Sequence, residues 1–396
     1  MIVGLIHNAL TWALVGLCCA ASAYAVCAAV TLPLLGTSIA IRRANHLAIP
    51  SSVTVLKPLC GAEPHLFENL ATFCEQNHPR FQLLFGVSSR RDPAIAVVQQ
   101  LREAYPFCAI DLVVDSRVHG TNLKVSNLIN MAPHARYAHL VLADSDITVP
   151  PDYLRTVTAR LDDHAVGVVT CLYRARAIGG WWPRVGALFI NAWFAPSVRI
   201  AHAFGSRSFG FGATLAFHKL TLLRIGGFEA IKDCLADDYM LALLARQKGL
   251  ATVLSPMVVT TDVTEPTIDT LSERETRWLR TIRSVNPVGY ASLFITFTTL
   301  WLLLGVALAD ASSVWAMPAA ALTLLHVSTL AGAIARLVLH VRSTPSASRF
   351  WLDLPLIPVR DVLLALQWIG AMGGAHVVWR NVRVPVGNAN LPSHHD

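Results

Sequence analysis

The sequence predicts an α/β domain built on a mostly parallel, doubly wound sheet and held between membrane segments. Composition points there first. The chain has 396 residues, 54% of them hydrophobic and only 14% charged, with mean hydropathy +0.49. An ordinary soluble protein carries roughly a quarter charged residues. The apolar excess gathers at both ends and leaves a middle of ordinary composition. In that middle, short runs rich in Val, Leu and Ile alternate with longer stretches of helical spacing.

Ala9 to Leu35 is nearly free of charge and long enough to cross a bilayer, which takes about 20 apolar residues. It is too long for a signal peptide, and no Lys or Arg precedes it. Arg42 and Arg43 follow, so the positive-inside rule puts the next segment in the cytoplasm. Strands are expected at Val53–Leu56, Gln82–Val87, Ile110–Val114, His139–Ala143 and Ala165–Leu172, with helices such as Pro93–Tyr105 and Asp152–Leu161 between them. Val288–Ala309 and Val314–Val341 form a second apolar pair. Its link, Asp310–Ser313, has no Lys or Arg and suits the outer face, while Arg342 and Arg349 suit the inner one. Leu354–Trp379 is apolar but interrupted by Pro355, Pro358, Arg360 and Asp361. It reads as a fourth crossing, a re-entrant piece or an interfacial segment. Arg380 and Arg383 favour a cytoplasmic end. The expected division is an anchor at 1–45, a cytoplasmic domain at 46–286, and a membrane region at 287–396 with two or three hydrophobic segments.

Eight cysteines show no C-x-x-C pair, which argues against structural zinc and a disulfide framework and fits a reducing cytosol. Fifteen histidines show no metal-ligand spacing either. The net charge of +7 is not packed in a block, so an anionic membrane surface is a more economical partner than nucleic acid. Oligomeric state leaves no mark.

In parallel sheets ligands gather at the carboxyl ends of strands. Asp144-Ser145-Asp146 sits at such a position, as do Asp92 and Asp115. Two hard carboxylates with one spacer hold Mg²⁺ or Mn²⁺, and such a metal commonly clamps a diphosphate. The competing reading is helix capping by Asp146 or Asp152. Asp237 and Asp238 open an apolar-periodic helix, where acids also favour the helix dipole. Arg274, Arg277 and Trp278 fall at i, i+3 and i+4 on one helix face. A positive-inside stop with an interfacial Trp explains them as well. Gly179 to Phe204 carries Trp181, Trp182, Phe189, Trp193 and Phe194. It reads either as an interfacial amphipathic stretch or as a core-packing helix.

Taken in order, D-x-D after a strand, an acidic pair opening a helix, and R-x-x-R-W before a membrane hairpin resemble a family 2/21-type GT-A glycosyltransferase. The closer resemblance is to the ceramide glucosyltransferase-like family. It is carried by "TVLKPLCGAEPHLFENLATF", "RDPAI" at 91–95, "GTNLKVSNL" at 120–128 and "FGFGATLAFHK" at 209–219, and it covers roughly residues 50–290. It implies a GT-A, Rossmann-like nucleotide-sugar-binding domain flanked by transmembrane helices, acting on a UDP-sugar donor and a lipid acceptor in the membrane. It implies that Asp92 contacts the uridine part and that Asn122 and Lys124 lie beside the nucleotide. Asp144 with Asp146 would hold Mg²⁺ or Mn²⁺ on the diphosphate. Asp238 matches the family's catalytic base, with Asp237 in place of its Glu. Arg274, Arg277 and Trp278 would close over the diphosphate and acceptor.

Two departures bear on the acceptor. Ceramide enzymes often read D-S-G where this chain has Asp144-Ser145-Asp146, and His-Pro where it has Ala195-Pro196. "ERETRWLRTIRSVNPVGY" and "PLIPVRD" look more like the bacterial hopanoid-biosynthesis branch, which moves N-acetylglucosamine onto a polyol hopanoid. The expected function is therefore inverting transfer from UDP-N-acetylglucosamine to a hopanoid, in a bacterial inner membrane with the catalytic domain in the cytoplasm. The alternatives are a ceramide glucosyltransferase using UDP-glucose and a non-catalytic membrane scaffold. A processive polysaccharide synthase needs more membrane helices. A transporter needs intramembrane charge, for which Arg336 and Arg360-Asp361 are the only candidates.

Overall fold

A computed structural model of the chain describes residues 2–31, 50–313, 315, 317–344, 347–374, 376–379 and 382–385. Arg42, Arg43 and Arg380, used above for topology, lie outside them. In chain order the elements are α1 (Ile2–Thr31), β1 (Val53–Pro58), α2 (Leu66–Cys74), β2 (Phe81–Val87), α3 (Ala94–Ala104), β3 (Ile110–Val114), α4 (Leu123–Met131), β4 (His139–Leu142), β5 (Ile147–Thr148), α5 (Tyr153–Thr158) and β6 (Val166–Ala177). Then come α6 (Trp181–Phe189), a π-helical turn (Ile190–Phe194), α7 (Ala195–Ala203), β7 (Leu215–His218), α8 (Lys219–Arg224), α9 (Asp237–Gln247), β8 (Ala251–Val263), α10 (Ile268–Val285), α11 (Pro287–Ser292), α12 (Thr298–Asp310), α13 (Ala319–Ser343), α14 (Ala347–Asp353), α15 (Leu356–Met372), β9 (His376–Trp379) and β10 (Val382–Pro385).

The chain divides into two compact units. One comprises residues 35–176, 205–264 and 379–396. Its described core is an eight-stranded sheet of order β3-β2-β1-β4-β7-β6-β8-β5. The strands form because each is a short run of apolar residues with little reason to stay in water. Their alternate side chains enter two cores. Val53, Val55, Leu83, Phe85 and Val141 face Leu70, Phe73, Val98, Leu101 and Tyr153 of α2, α3 and α5. Leu56, Leu84, Leu140 and Leu142 face Val125, Leu128, Met131, Leu241 and Leu244 of α4 and α9. Helices on both faces make the unit doubly wound.

The sheet is less parallel than the sequence predicts. β3-β2-β1-β4 run parallel, but β7 is antiparallel to both β4 and β6, and β5 is antiparallel to β8. Periodicity reports a strand's burial and not its direction. The 13-residue β8, interrupted by Ser255 and Pro256, carries no clean apolar run.

The other unit comprises residues 1–34, 177–204 and 265–378. Residues 177–204 and 265–285 group with the apolar helices here, whereas the sequence division drew them into 46–286. Among the described residues two helices are long and apolar enough to cross a membrane, residues 4–31 and 319–343. Residues 287–296 and 298–313 form a pair bent by 50° that makes a third if it is one span. α1 packs on α12 and α13 through Val15, Cys18, Leu308, Ala321 and Leu325. α15 has 17 residues. It rises about 25 Å, short of the roughly 30 Å hydrocarbon core. For the Gly179–Phe204 stretch, core packing describes one face: Val185, Leu188 and Ala192 are buried with Leu271 and Leu356. Trp181 and Phe204, at its two ends, are 50% and 80% exposed.

Candidate active site

β4 ends at Leu142 and delivers Asp144-Ser145-Asp146 beyond the sheet. Its parallel neighbour β1 pairs Leu56 with Leu142, so the next β1 residue, Lys57, arrives beneath the same turn. Lys57 Nζ donates to Asp144 O at 2.6 Å and lies 3.8 Å from the Phe73 ring centre. Its side chain is fully buried. Burial pushes its pKa down to about 7, against the pull of Asp146, Asp144 and Glu63.

Lys124, in the first turn of α4, reaches across to two acids. Its Nζ is 2.7 Å from Asp144 Oδ1 and 3.3 Å from Asp237 Oδ2. Burial alone would lower its pKa, but Asp144 and Asp237 outweigh that and hold it above the usual lysine range. Asp146 accepts a hydrogen bond from Thr261 Oγ1 at 2.7 Å. Burial, then the neighbouring Asp144, pushes its carboxyl up to about 7. Ser145 Oγ donates to Glu63 Oε2 at 2.7 Å. These bonds dispose of the capping reading. Asp146 serves Thr261, while Asp152 takes the N-cap place of α5 with no side-chain cap bond and accepts from Asn77 Nδ2 instead.

The Phe209–Thr214 loop joins the two acidic motifs. Asp144 N donates to Gly212 O at 3.2 Å, and Gly212 N donates to Asp238 Oδ2 at 2.7 Å. One glycine thus holds both motifs by its two backbone groups. A Cβ on Gly212 would lie 2.6 Å from Asp144 Oδ2, and one on Gly210 would lie 2.5 Å from Asp238 O. The approach of Gly210 to a backbone oxygen needs glycine, whereas Gly212 faces the movable end of the Asp144 side chain. Asp238 Oδ1 also accepts from Tyr239 N at 2.8 Å. Its carboxyl is pushed up to about 6 by burial and by Asp237, with Lys124 opposing.

Asp92 sits beyond β2. Its carboxylate accepts from Gly61 N at 3.0 and 3.2 Å and from Ala94 N at 2.9 Å. It therefore ties the loop after β1 to the start of α3. Asn122 is the N-cap of α4: Oδ1 accepts from Val125 N and Nδ2 donates to Cys234 O. At 1% exposure it caps the helix whose first turn carries Lys124. Asp115 pairs with exposed Arg117.

Lys124, Asp144, Asp146, Asp237 and Asp238 are thus brought together. Arg274, Arg277 and Trp278 belong to the other unit, on α10. There Arg274 Nη1 pairs with Glu265 at 2.6 Å, its guanidinium lies 5.0 Å from the Trp278 ring, and Trp278 packs 5.7 Å from Phe189. Sequence reasoning missed Lys57, Glu63 and Gly212 as members of the site. Lys57 had a signal, since a lone ammonium in the run Val53–Leu59 has to find a partner when buried.

Among the described residues no group of three or more His, Cys, Asp or Glu side chains could hold a metal. Mg²⁺ asks for less, because one or two carboxylates and the substrate's phosphates commonly complete its shell. Asp144 and Asp146 supply that number. Burial and then the repulsion of Asp144 raise Asp146, and a dication would relieve that repulsion, so the donor set fits.

Residues 10–390 match the family model "Glycosyl transferase family 21". Curated relatives include ceramide glucosyltransferase 1 of Caenorhabditis elegans, 26% identical over 245 residues, covering 61% of this chain and 52% of that one. Ceramide glucosyltransferase of Candida albicans is 30% identical over 151 residues, covering 33% and 27%. The chain spans about half the length of the first curated relatives it matches. Solved structures with similarity include a mannosyltransferase from Pyrobaculum calidifontis in complex with GDP-Man and Mn²⁺, at TM-score 0.49 and 21% identity, covering 90% of this chain and 99% of that one. S. aureus TarS gives TM-score 0.36 and 15% identity over 72% and 54%. The sheet unit has an α/β architecture, with helices on both faces of one mixed sheet, and the chain belongs to glycosyl transferase family 21.

Proposed function

We propose that the protein is a membrane-bound inverting glycosyltransferase that moves a sugar from a UDP-sugar to a lipid hydroxyl. One observation carries the mechanism: Gly212 holds Asp144 and Asp238 together through its carbonyl and its amide. The backbone of a residue able to hold a metal and the carboxylate of a residue able to take a proton are thereby tied to one glycine. Asp238 has the properties of a general base. Its carboxyl titrates near 6, so it is ionised at neutral pH yet more basic than an exposed Asp, and it can accept the acceptor hydroxyl's proton. Lys124 forms ion pairs with both Asp144 and Asp237. Asp144 and Asp146 would hold Mg²⁺ or Mn²⁺, which supplies charge neutralisation for the leaving diphosphate. A single base implies one displacement with inversion. Asp92 is assigned to the uridine by the family resemblance, as are Arg274, Arg277 and Trp278 to the diphosphate and acceptor.

The finer proposal is N-acetylglucosamine transfer to a hopanoid polyol, on the motifs of α10 and α15. Glucose transfer to ceramide is the second reading, favoured by the ceramide glucosyltransferases among the relatives. The apolar helices support an integral membrane protein, the positive-inside pattern supports a cytoplasmic sheet unit, and the bacterial inner membrane rests on the resemblance to the hopanoid branch. The test uses detergent-solubilised full-length protein with Mn²⁺ or Mg²⁺. UDP-glucose, UDP-galactose and UDP-N-acetylglucosamine are each offered with bacteriohopanepolyol or ceramide, and products are read by mass. A hexosamine-hopanoid supports the first reading and a hexosyl-ceramide the second. Product formation that survives Asp238→Asn would refute the base. No product from folded wild-type protein would return the scaffold reading.

A further inference from the structure

Two consecutive residues of α15 are buried in ion pairs with different helices. Arg360 Nη1 donates to Glu275 Oε2 of α10 at 2.6 Å, with side-chain exposures of 1% and 0%. Arg360 Nη2 donates to Gln367 Oε1 at 2.7 Å, and Gln367 Nε2 reaches Ser272 Oγ of α10 at 3.4 Å. Asp361 accepts instead from Arg336 Nη2 of α13 at 2.8 Å and from Thr299 N of α12 at 3.2 Å. Further along, Arg283 of α10 donates to Ala371 O at 2.7 Å and to Gly374 O at 2.6 Å, at the end of α15. α15 is therefore fastened to α10 on one side and to the membrane helices on the other.

A fully buried ion pair is a poor source of stability, because desolvating both ions offsets their attraction. Glu275 Oε1 and Arg360 Nε are moreover buried without a hydrogen-bond partner. Leu271 and Leu279 already give α10 a buried apolar stripe. Packing of leucines tolerates rotation and sliding; a short charged hydrogen bond does not. What the pair adds is a fixed angle and register. Successive residues turn by about 100° on a helix, so Arg277 lies about 200° from Glu275. Holding Glu275 against α15 turns Arg277 to the opposite side of α10.

We propose that the Glu275–Arg360 pair is a positioning device that sets the rotation and register of the helix bearing Arg274, Arg277 and Trp278. Asp361 anchors the supporting helix to α13 and α12. The inference rests on the reading that those three residues serve sugar transfer. Glu275 and Arg360 are positioning residues: their charged groups are spent on each other.

The test compares Glu275→Met, Arg360→Met, the double variant and Glu275→Gln in the full-length protein. The readouts are melting temperature, kcat, donor KM, and hydrogen exchange across residues 268–285. Each single Met variant strands a buried charge and melts earlier. The double variant removes both charges and recovers most of that loss. It nevertheless shows faster exchange over 268–285 and a kcat lowered about tenfold or more, since small displacements of a catalytic group are costly. Glu275→Gln keeps an acceptor in place and retains most of the activity. A double variant with wild-type kcat, KM and exchange would overturn the proposal and leave the pair a packing feature. If wild-type protein transfers no sugar, the proposed function fails on its own. Exchange then still decides the inference: faster in the double variant supports it, unchanged overturns it.

Discussion

Gly212→Ala separates catalytic geometry from folding. Gly212 is not among the residues with positive φ, so its backbone accepts an L side chain. The new methyl would meet one atom closely, Asp144 Oδ2 at 2.6 Å, with the next neighbours at 3.4 and 3.5 Å. Ordinary contact near 3.4 Å requires that oxygen to withdraw by about 0.8 Å. Asp144 does so by turning its side chain away from its rotamer, at a cost of about 0.5–1.5 kcal/mol. The melting temperature should therefore change little. The carboxylate that faces Lys124 at 2.7 Å is displaced, however, and a shift of about 1 Å in a positioned group costs up to about 100-fold in rate. The expected result is a kcat/KM lowered about 10- to 100-fold, with more Mn²⁺ needed for half-maximal rate. Product formation against Mn²⁺ concentration, beside a thermal melt, measures both. Wild-type kcat/KM and Mn²⁺ dependence in a folded variant would refute the placement of Asp144 at the reacting centre.

Gly210→Ala, two residues away, should do the reverse: its methyl meets the backbone oxygen of Asp238 at 2.5 Å, so α9 has to move, and stability should fall by about 1–3 kcal/mol in a denaturant titration. Asp238→Asn should lower kcat by about 10²- to 10⁴-fold while UDP binding, measured calorimetrically, is kept. The rate at fixed saturating Mn²⁺ should be present above pH 6 and lost below it, because protonation of Asp238, titrating near 6, removes the base; a flat profile from pH 5 to 8 would refute this. Lys124→Met removes a cation that lowers the Asp238 pKa, so the acid limb of that profile should move to higher pH.

Much of the sheet was legible. β1 to β4 start or end within two residues of the expected runs, because each is a short run dominated by Val, Leu, Ile and Phe, the pattern of strands covered on both faces. The antiparallel half was not, since strand direction depends on how the chain returns and not on composition. At the site, the acids were legible from their place after a strand and at a helix start. The groups that organise them were not. Lys57 is 87 residues from Asp144 in sequence, and only the β1–β4 register brings them together. At Asn122, which the motif marked, both ends of the amide are engaged in capping α4 and holding Cys234. A conspicuous residue can serve the ligand through the side chain it positions.

The charge balance of the site leads to the last prediction. Glu63, Asp144, Asp146, Asp237 and Asp238 face two ammonium groups, Lys57 and Lys124. Five acids against two bases leave an excess of negative charge, relieved in part by the upward shifts of Asp146 and Asp238. A nucleoside diphosphate brings more negative charge to the same place, and like charges repel most strongly where solvent is partly excluded. A divalent cation reverses the sign of that interaction. UDP should therefore bind at least about tenfold more tightly with Mn²⁺ than with a chelator, through oxygen ligands of the type Asp144 and Asp146 offer. Asp146→Asn should weaken the Mn²⁺ effect, and UDP titrated against wild type and variant, with Mn²⁺ and with chelator, measures all four affinities. Equal affinity with and without Mn²⁺ in the wild type would mean that Lys57 and Lys124 alone balance the diphosphate, and Asp144 would then be a partner for Lys124 and not a metal ligand.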